Sequence, residues 1–173
     1  MKWYVLFVRT GKEHVIKQLF NERLDSDVCK PIVPLQERFF KIAGTVKKEL
    51  KPLFPSYVFL ESKLSSLEFI KSTNALIYTS RDIFRLLRYS ESEVSMRDSE
   101  RQALVSLCND DYCIRSSCGI IEGDSIQITD GPLKGWDSKV KKINRHKRQA
   151  VIELELMGDI RLVNVALEIV KKI

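Results

Sequence analysis

The chain has 173 residues, 44% hydrophobic and 30% charged, which supports a packed core and argues against wholesale disorder. The formal net charge of +6 favours polyanionic partners such as nucleic acid. No apolar run reaches the roughly 18–20 residues that a membrane span needs, and the N-terminal segment is too soon charged for a signal peptide. We therefore expect a cytoplasmic protein that has no membrane partner.

The first 61 residues alternate between strand and helix patterns. Residues 2–9 are rich in β-forming side chains, and the spacing of Thr10 and Glu13 predicts a capping box at the start of a helix over 11–24. Prolines break a short extended stretch over 29–35. A hairpin with its turn near Ala43 and Gly44 is predicted over 37–50, and a further strand over 57–61.

The next segments predict a helix over 63–73 with Leu64, Leu67 and Ile70 facing inward, and a short strand over 75–79. One or two helical turns over 81–89 and a helix over 96–108 follow. Residues 109–118 are polar and irregular, whereas the chain from residue 119 onward is β-type with frequent turns. The sequence thus predicts an α+β domain over 1–108, a linker over 109–118 and a small β-barrel over 119–173.

The four cysteines do not form a C-x-x-C pair, and the two histidines lie far from them in sequence. We expect reduced structural thiols, with no metal and no cofactor, and keep metal binding or redox sensing as the alternative. The chain has no phosphate-binding loop, nucleophile elbow or zinc-protease motif. We therefore expect a binding protein and not an enzyme.

Three stretches, taken together and in this order, carry a resemblance to a known family. They are Trp3-Tyr4-Val5 with Gly11 and Glu13, then 53–59 (LFPSYVF), then 123–128 (GDSIQI) with 131–135 (GPLKG). Together they resemble the NusG family of transcription elongation factors. The resemblance implies an N-terminal NGN domain, in which helices flank an antiparallel sheet, and a C-terminal KOW domain, which is a five-stranded SH3-like β-barrel.

The resemblance also implies a contact with RNA polymerase. In NusG-like N-terminal domains, an apolar hollow beside the bend-and-Tyr segment takes the tip of the polymerase clamp helices. The matching residues are Phe54, Pro55 and Tyr57, with Tyr4 beside them and Trp3 at the rim or in the core. The alternative for these side chains is ordinary core packing.

The sequence departs from the family pattern at three places. Ser56 replaces the glycine of the bend, so we expect the bend to avoid a positive φ. Asp137 and Ser138 stand where a further glycine is usual. The segment 158–163 (GDIRLV) differs from the G-R-x-T-P-V pattern of the region through which general NusG proteins contact a ribosomal protein, which argues against ribosome contact here.

A basic run follows the KOW-like motif. It resembles the KOW domain of the LoaP group of NusG proteins, which are processive antiterminators that recognise an RNA hairpin in a leader transcript. Arginine can also stack on or fork to an unpaired base. A solvated charged face is the alternative. The candidate RNA-binding residues are Lys139, Lys141, Lys142, Arg145, His146, Lys147 and Arg148.

A second basic set, Arg81, Arg85 and Arg88, has spacings that would place it on one helical face. It is a candidate secondary nucleic-acid contact, with non-template DNA as a further candidate partner, and a solvated face is again the alternative. The combined hypothesis is a monomeric antiterminator that binds RNA polymerase and an RNA hairpin. The alternatives are a general NusG that couples transcription to ribosomes, a KOW-type ribosomal or RNA-chaperone protein, and a fold-switching paralogue of the RfaH type.

Overall fold

The computed structural model describes residues 1–173 and divides the chain into two compact units of three segments each. The first unit comprises Met1–Val33, Phe54–Arg101 and Leu156–Asp159, and the second comprises Pro34–Leu53, Gln102–Glu155 and Ile160–Ile173. This division by compactness is distinct from the sequence domains 1–108 and 119–173, which stay a prediction. None of the three helices is long and apolar enough to cross a membrane.

The helices and strands are these, in chain order. The first eight are β1 (Lys2–Val8), α1 (Glu13–Arg23), β2 (Lys30–Ile32), β3 (Leu35–Ile42), β4 (Thr45–Pro52), β5 (Tyr57–Ser62), α2 (Ser66–Thr79) and β6 (Ile83–Leu86). The others are α3 (Asp98–Leu107), β7 (Cys113–Ile114), β8 (Ser117–Glu122), β9 (Ser125–Asp130), β10 (Val140–Asn144), β11 (Gln149–Leu156) and β12 (Asp159–Lys172), with a 3-10 turn at Asp137–Lys139 before β10.

The first unit is built on a four-stranded sheet in the order β2-β5-β1-β6, with every pair antiparallel. Helix α1 buries Ile16 and Phe20, four residues apart, and leaves Val15 exposed. The capping box predicted at Thr10 does not form, because the N-cap residue is Lys12 and no side chain caps it. The carboxylate of Glu13 instead accepts a hydrogen bond from the backbone N–H of Gly11.

Helix α2 is longer than the sequence pattern predicted. Its buried stripe is Phe69, Thr73 and Ile77, a four-residue spacing that carries the helix through the segment predicted as a strand over 75–79. Leu67, predicted to face inward, is exposed. A capping box fixes the start of the helix, because Ser65 and Glu68 exchange side-chain hydrogen bonds with each other's backbone N–H.

The segment predicted as helical turns over 81–89 contains strand β6 instead. This strand pairs with the edge of β1, where Leu6 lies opposite Leu86 and Phe7 opposite Arg85. Edge pairing supplies hydrogen-bond partners to the backbone of both strands, which local helical spacing does not anticipate. The helix predicted over 96–108 is confirmed as α3.

The second unit contains the predicted hairpin and a five-stranded sheet. Strands β3 and β4 pair in unbroken register, and Ala43 and Gly44 both have positive φ (50° and 79°), as a tight two-residue hairpin turn requires. Strand β7 pairs in parallel with β3 and buries Ile114, so part of the segment 109–118 is ordered, and its role as a linker stays a prediction. The five-stranded sheet has the order β10-β11-β12-β8-β9.

Candidate functional site

Three aromatic rings cluster at the surface of the first unit. Phe7 lies 5.6 Å from Tyr57 and 5.1 Å from Phe84, measured between ring centroids. Phe84 is 54% exposed, and Phe7 and Tyr57 are partly exposed. The guanidinium of Arg85 lies 6.0 Å from the centroid of Phe7. We call Phe7, Tyr57 and Phe84 the aromatic face; clustered, partly exposed rings of this kind are typical of protein-binding surfaces.

A hydrogen-bond network fixes the bend that precedes Tyr57. Ser56 has a φ of 75°, so the expectation that the bend avoids a positive φ is wrong. The Ser56 N–H donates to Glu13 Oε1 at 2.7 Å, and the Ser56 and Thr10 hydroxyls are hydrogen-bonded. Because Glu13 is buried and holds the backbone of the bend, these contacts offset the strain of a left-handed serine.

Three of the residues predicted at the polymerase hollow lie in the core. Trp3 donates from Nε1 to Glu61 at 2.9 Å, Tyr4 stacks on Phe69 at 3.7 Å between ring centroids, and Phe54 is buried against Phe59. Their side chains have almost no exposed surface, which favours the ordinary core packing that was the alternative for them, and a polymerase contact by these three residues stays a prediction. Of the predicted set, Pro55 is exposed and Tyr57 is partly exposed.

The predicted RNA-binding residues occupy one edge of the second unit. Lys139 ends the 3-10 turn, Lys141 and Lys142 lie on the edge strand β10, and four further residues form the turn between β10 and β11. Lys141 lies 3.6 Å from the carboxylate of Glu153 and sits at a register shift in the β10–β11 pairing, so it is partly neutralised. We call the four turn residues the basic turn: Arg145, His146, Lys147 and Arg148.

The backbone of the basic turn is fixed at both ends. The Lys147 N–H donates to Asn144 Oδ1 at 3.0 Å, and the Arg148 carbonyl accepts from the Leu167 N–H at 3.0 Å. Arg148 has a φ of 49°, in the left-handed region where glycine or asparagine is usual. Four consecutive basic side chains are therefore presented by a defined backbone, which suits them to a polyanion.

The second basic set does not share a helical face. Arg85 lies on strand β6 beside the aromatic face, whereas Arg81 and Arg88 lie outside that strand on either side. The prediction that the three arginines share one helical face is therefore wrong. All three side chains are exposed, and a nucleic-acid contact by any of them stays a prediction.

Three of the four cysteines lie where their thiols have low reactivity. Burial raises the pKa of the Cys29 thiol to about 11 and that of Cys108 to about 12, and it also raises the pKa of Cys113. A thiol held in its neutral form is a poor nucleophile and a poor metal ligand. No group of three or more His, Cys, Asp or Glu side chains is arranged to hold a metal ion.

A buried carboxylate organises another part of the first unit. Glu100 accepts hydrogen bonds from the backbone N–H groups of Met157 (2.8 Å) and Gly158 (2.9 Å) and from the Tyr89 hydroxyl (2.9 Å). Burial is the main reason that the pKa of Tyr89 is raised to about 12, and the adjacent Glu100 contributes. Glu100 thus supplies the partners that this tight turn lacks within the backbone.

Sequence reasoning missed two members of the aromatic face. Phe7 was one of many apolar residues in β1, and Phe84 lies in the segment that was predicted as helical turns over 81–89. The signal that unites them is strand register, since Phe7 lies opposite Tyr57 on one side and Arg85 on the other. A register between distant strands depends on tertiary pairing, so no local pattern could have revealed it.

Comparison with known proteins gives consistent results. The family model described as "Transcription termination factor nusG" matches residues 1–105. A protein of Rickettsia bellii (strain RML369-C) named "Transcription termination/antitermination protein NusG" is 22% identical over 179 residues, covering 99% of this chain and 90% of that protein. Proteins with the same name are 21% identical in Rickettsia typhi (strain ATCC VR-144 / Wilmington) and 20% identical in Pasteurella multocida (strain Pm70), covering 99% and 91% of this chain and 90% and 87% of those proteins.

Proposed function

This chain belongs to the NusG family of transcription termination factors, and we propose that within it the chain acts as a processive antiterminator recruited by a leader RNA. Proteins of this family bind RNA polymerase, and the similar proteins are named for termination and antitermination alike. The observation that carries the antiterminator proposal is the basic turn: four consecutive basic residues on a backbone fixed at both ends.

The polymerase contact is assigned to the aromatic face together with Pro55. These side chains combine large apolar area with few rotatable bonds, which suits an anchor for a helical tip such as the polymerase clamp helices. The buried Glu13 holds the bend beside Tyr57, so the face keeps its shape in the unbound protein. Such preorganisation lowers the entropic cost of binding.

The RNA contact is assigned to the basic turn and to Lys139 and Lys142 on its flank. Arg145 and Arg148 can fork to base edges or stack on them, whereas Lys139 and Lys142 act as point charges on phosphates. Lys141 contributes less, because Glu153 lies beside it. The five-stranded sheet that presents the turn is proposed to close into a KOW barrel.

The two contacts act together if one protein holds both polymerase and nascent RNA. Binding to the leader RNA makes the second contact intramolecular, so each interaction raises the effective concentration for the other. The factor would then stay with the elongating enzyme beyond the leader and carry it through terminators over a long operon.

Transcription of a template that carries a leader hairpin and two successive terminators tests this proposal. We expect the protein to increase read-through at both terminators only when the hairpin is intact. Tyr57→Ala should weaken polymerase binding by about 1–3 kcal/mol, the range for an interface anchor. Tyr78→Ala, which truncates a tyrosine that is 79% exposed on α2, is the matched control. Equal read-through with a scrambled hairpin would refute leader recruitment.

A general coupling factor remains a second candidate because of an exposed apolar pair. Ile160 and Leu162 at the start of β12 are 62% and 64% exposed, although Leu156 and Met157 beside them are buried. Co-sedimentation with ribosomes distinguishes the two functions. Ribosome binding that is lost in an Ile160→Ser, Leu162→Ser variant would favour coupling.

A further inference from the structure

The basic turn forms one wall of a cleft in the second unit. The opposite wall is the end of the β3–β4 hairpin, and the lining residues from the two walls are Phe39, Phe40, Lys41 and Val46, then His146, Lys147 and Arg148. Sequence reasoning treated hairpin and turn separately, since about a hundred residues lie between them in the sequence. The fold brings them together within one compact unit.

One face of the hairpin supplies most of its wall. Lys41 and Val46 are directly opposite each other in the β3–β4 register, and Phe39 lies two residues from Lys41 on the same face. Phe40 and its partner Lys47 project from the other face. Phe39 is partly exposed, so a flat apolar surface is available beside the cation of Lys41.

The charged side chains that line the cleft are all positive. Its lining contains Lys41, Lys147 and Arg148 and no carboxylate. The acidic residue on the same hairpin face, Glu37, is buried and neutralised locally, since it pairs with Lys48 at 3.1 Å and accepts from the Ser116 N–H at 2.8 Å. An aromatic platform flanked by cations fits a nucleotide strand, in which bases and phosphates alternate.

We propose that this cleft binds an unpaired nucleotide segment of RNA, with one base stacked on Phe39 and the adjoining phosphates on Lys41, Lys147 and Arg148. The inference rests on the proposed RNA contact of the basic turn and adds the hairpin to it. The occupant is single-stranded because a base inside a duplex stacks on its neighbours and cannot offer its face to a side chain. The cleft thus selects a loop or bulge and not a stem.

The hairpin contribution is tested by binding of the full-length protein to three fluorescein-labelled probes. These are a single-stranded oligoadenylate RNA, the DNA strand of the same sequence, and a blunt RNA duplex, each measured by fluorescence anisotropy at two salt concentrations. A fourth probe carries 2-aminopurine in the single-stranded RNA and reports stacking directly. The variants are Phe39→Leu, which keeps apolar packing but removes the ring, and Lys41→Ala. Lys47→Ala, on the opposite face of the hairpin, is the control for charge.

Loss of the ring should weaken single-stranded RNA binding by about five-fold or more and should abolish the change in 2-aminopurine fluorescence, since base stacking on aromatic side chains supplies this much affinity. Lys41→Ala should lower the salt slope by about 0.7, the value for one phosphate on a single strand. Lys47→Ala should do neither. The duplex should bind more weakly, and its binding should not respond to Phe39→Leu.

The outcomes separate this inference from the proposed function. If Lys142→Ala and Arg145→Ala weaken RNA binding while Phe39→Leu and Lys41→Ala behave like Lys47→Ala, the basic turn binds RNA alone and the cleft inference is wrong. Tighter binding of the DNA strand, with the same dependence on Phe39, would overturn the assignment to RNA. No binding of any single-stranded probe would refute the cleft inference, whereas the contact of the basic turn with a leader hairpin is tested separately by the read-through assay.

Discussion

Replacing Arg148 by glycine should make the protein more stable and less able to bind RNA. Arg148 has a φ of 49°, and a left-handed conformation costs a residue with a Cβ roughly 1–2 kcal/mol. Glycine relieves that strain but loses about 0.5–1 kcal/mol in conformational entropy on folding. The Arg148 N–H and carbonyl hydrogen bonds, at 3.2 Å to the Arg145 carbonyl and 3.0 Å from the Leu167 N–H, involve only the backbone and survive the change. The net gain should therefore be about 0.5–1 kcal/mol.

A matched control separates the backbone effect from the loss of charge. Lys147→Gly also removes one cation from the basic turn, but Lys147 is not among the residues with positive φ. Glycine there should destabilise by about 0.5–1 kcal/mol, because flexibility is added and no strain is relieved. Both variants should bind RNA more weakly, whereas their effects on stability should have opposite signs.

Urea unfolding followed by circular dichroism measures the stability change, and gel shift with a leader hairpin measures affinity. Unfolding of Arg148→Gly at a lower urea concentration than the parent would refute the relief of strain, since the side chain would then stabilise the turn. A variant that is more stable but binds RNA as tightly as the parent would refute the role of Arg148 in RNA binding. RNA binding would then not explain why an arginine occupies a position whose backbone conformation favours glycine.

Three further predictions concern buried groups. Glu100→Ala removes the acceptor of the Met157 and Gly158 N–H groups and of the Tyr89 hydroxyl proton, although that hydroxyl still accepts from the Arg97 N–H, and it should cost about 3 kcal/mol of unfolding free energy by urea titration; a cost below about 1 kcal/mol would count against the network. Glu13→Ala should weaken polymerase binding without truncating any aromatic side chain, because the Ser56 N–H loses its carboxylate acceptor. Unchanged affinity in a pull-down would show that the bend keeps its conformation without Glu13. Burial raises the pKa of Cys29 to about 11, so the folded state keeps a proton that the unfolded chain releases near the ordinary thiol value of 9.0. The contribution of Cys29 to the free energy of unfolding should be fully present below pH 9.0 and should fall by up to about 1.4 kcal/mol per pH unit as the pH rises towards 11. Cys29→Ala should therefore make the alkaline decline in stability less steep, and an unchanged slope in alkaline unfolding curves would contradict this.

Local signals predicted the parts of the fold that local forces determine. The hairpin turn at Ala43 and Gly44 was predicted because a tight turn requires particular backbone angles at two adjacent residues. The helix over 75–79 was missed because Ile77 and Thr79 favour strands locally, whereas burial of Ile77 in the α2 stripe decides the outcome.

The positions of side chains relative to the surface depended on pairings far apart in sequence. Trp3 and Tyr4 were assigned to a binding hollow by resemblance, whereas the structure buries both, with Tyr4 stacked on Phe69 of α2 and Trp3 hydrogen-bonded to Glu61 of β5. Phe84 lies in the segment predicted as helical turns, whereas the structure places it on the edge strand β6, where it is 54% exposed. The cleft between hairpin and basic turn likewise arises only once the chain is folded, since neither wall predicts the other.

Because the chain alternates between its two units, neither unit is completed before the other begins to be synthesised. Each unit is assembled from three segments, and the last segment of the first unit, Leu156–Asp159, precedes only the final segment of the second, Ile160–Ile173. A ribosome releases residues from the N-terminus onward, so the turn that Glu100 holds leaves the exit tunnel only after Pro34–Leu53 and Gln102–Glu155 of the second unit. Neither unit can be completed while the nascent protein is still short. A truncation that removes Ile160–Ile173 and extends into Leu156–Asp159 therefore takes parts of both units, and a fragment that ends before residue 156 lacks the backbone N–H groups that satisfy the Glu100 carboxylate.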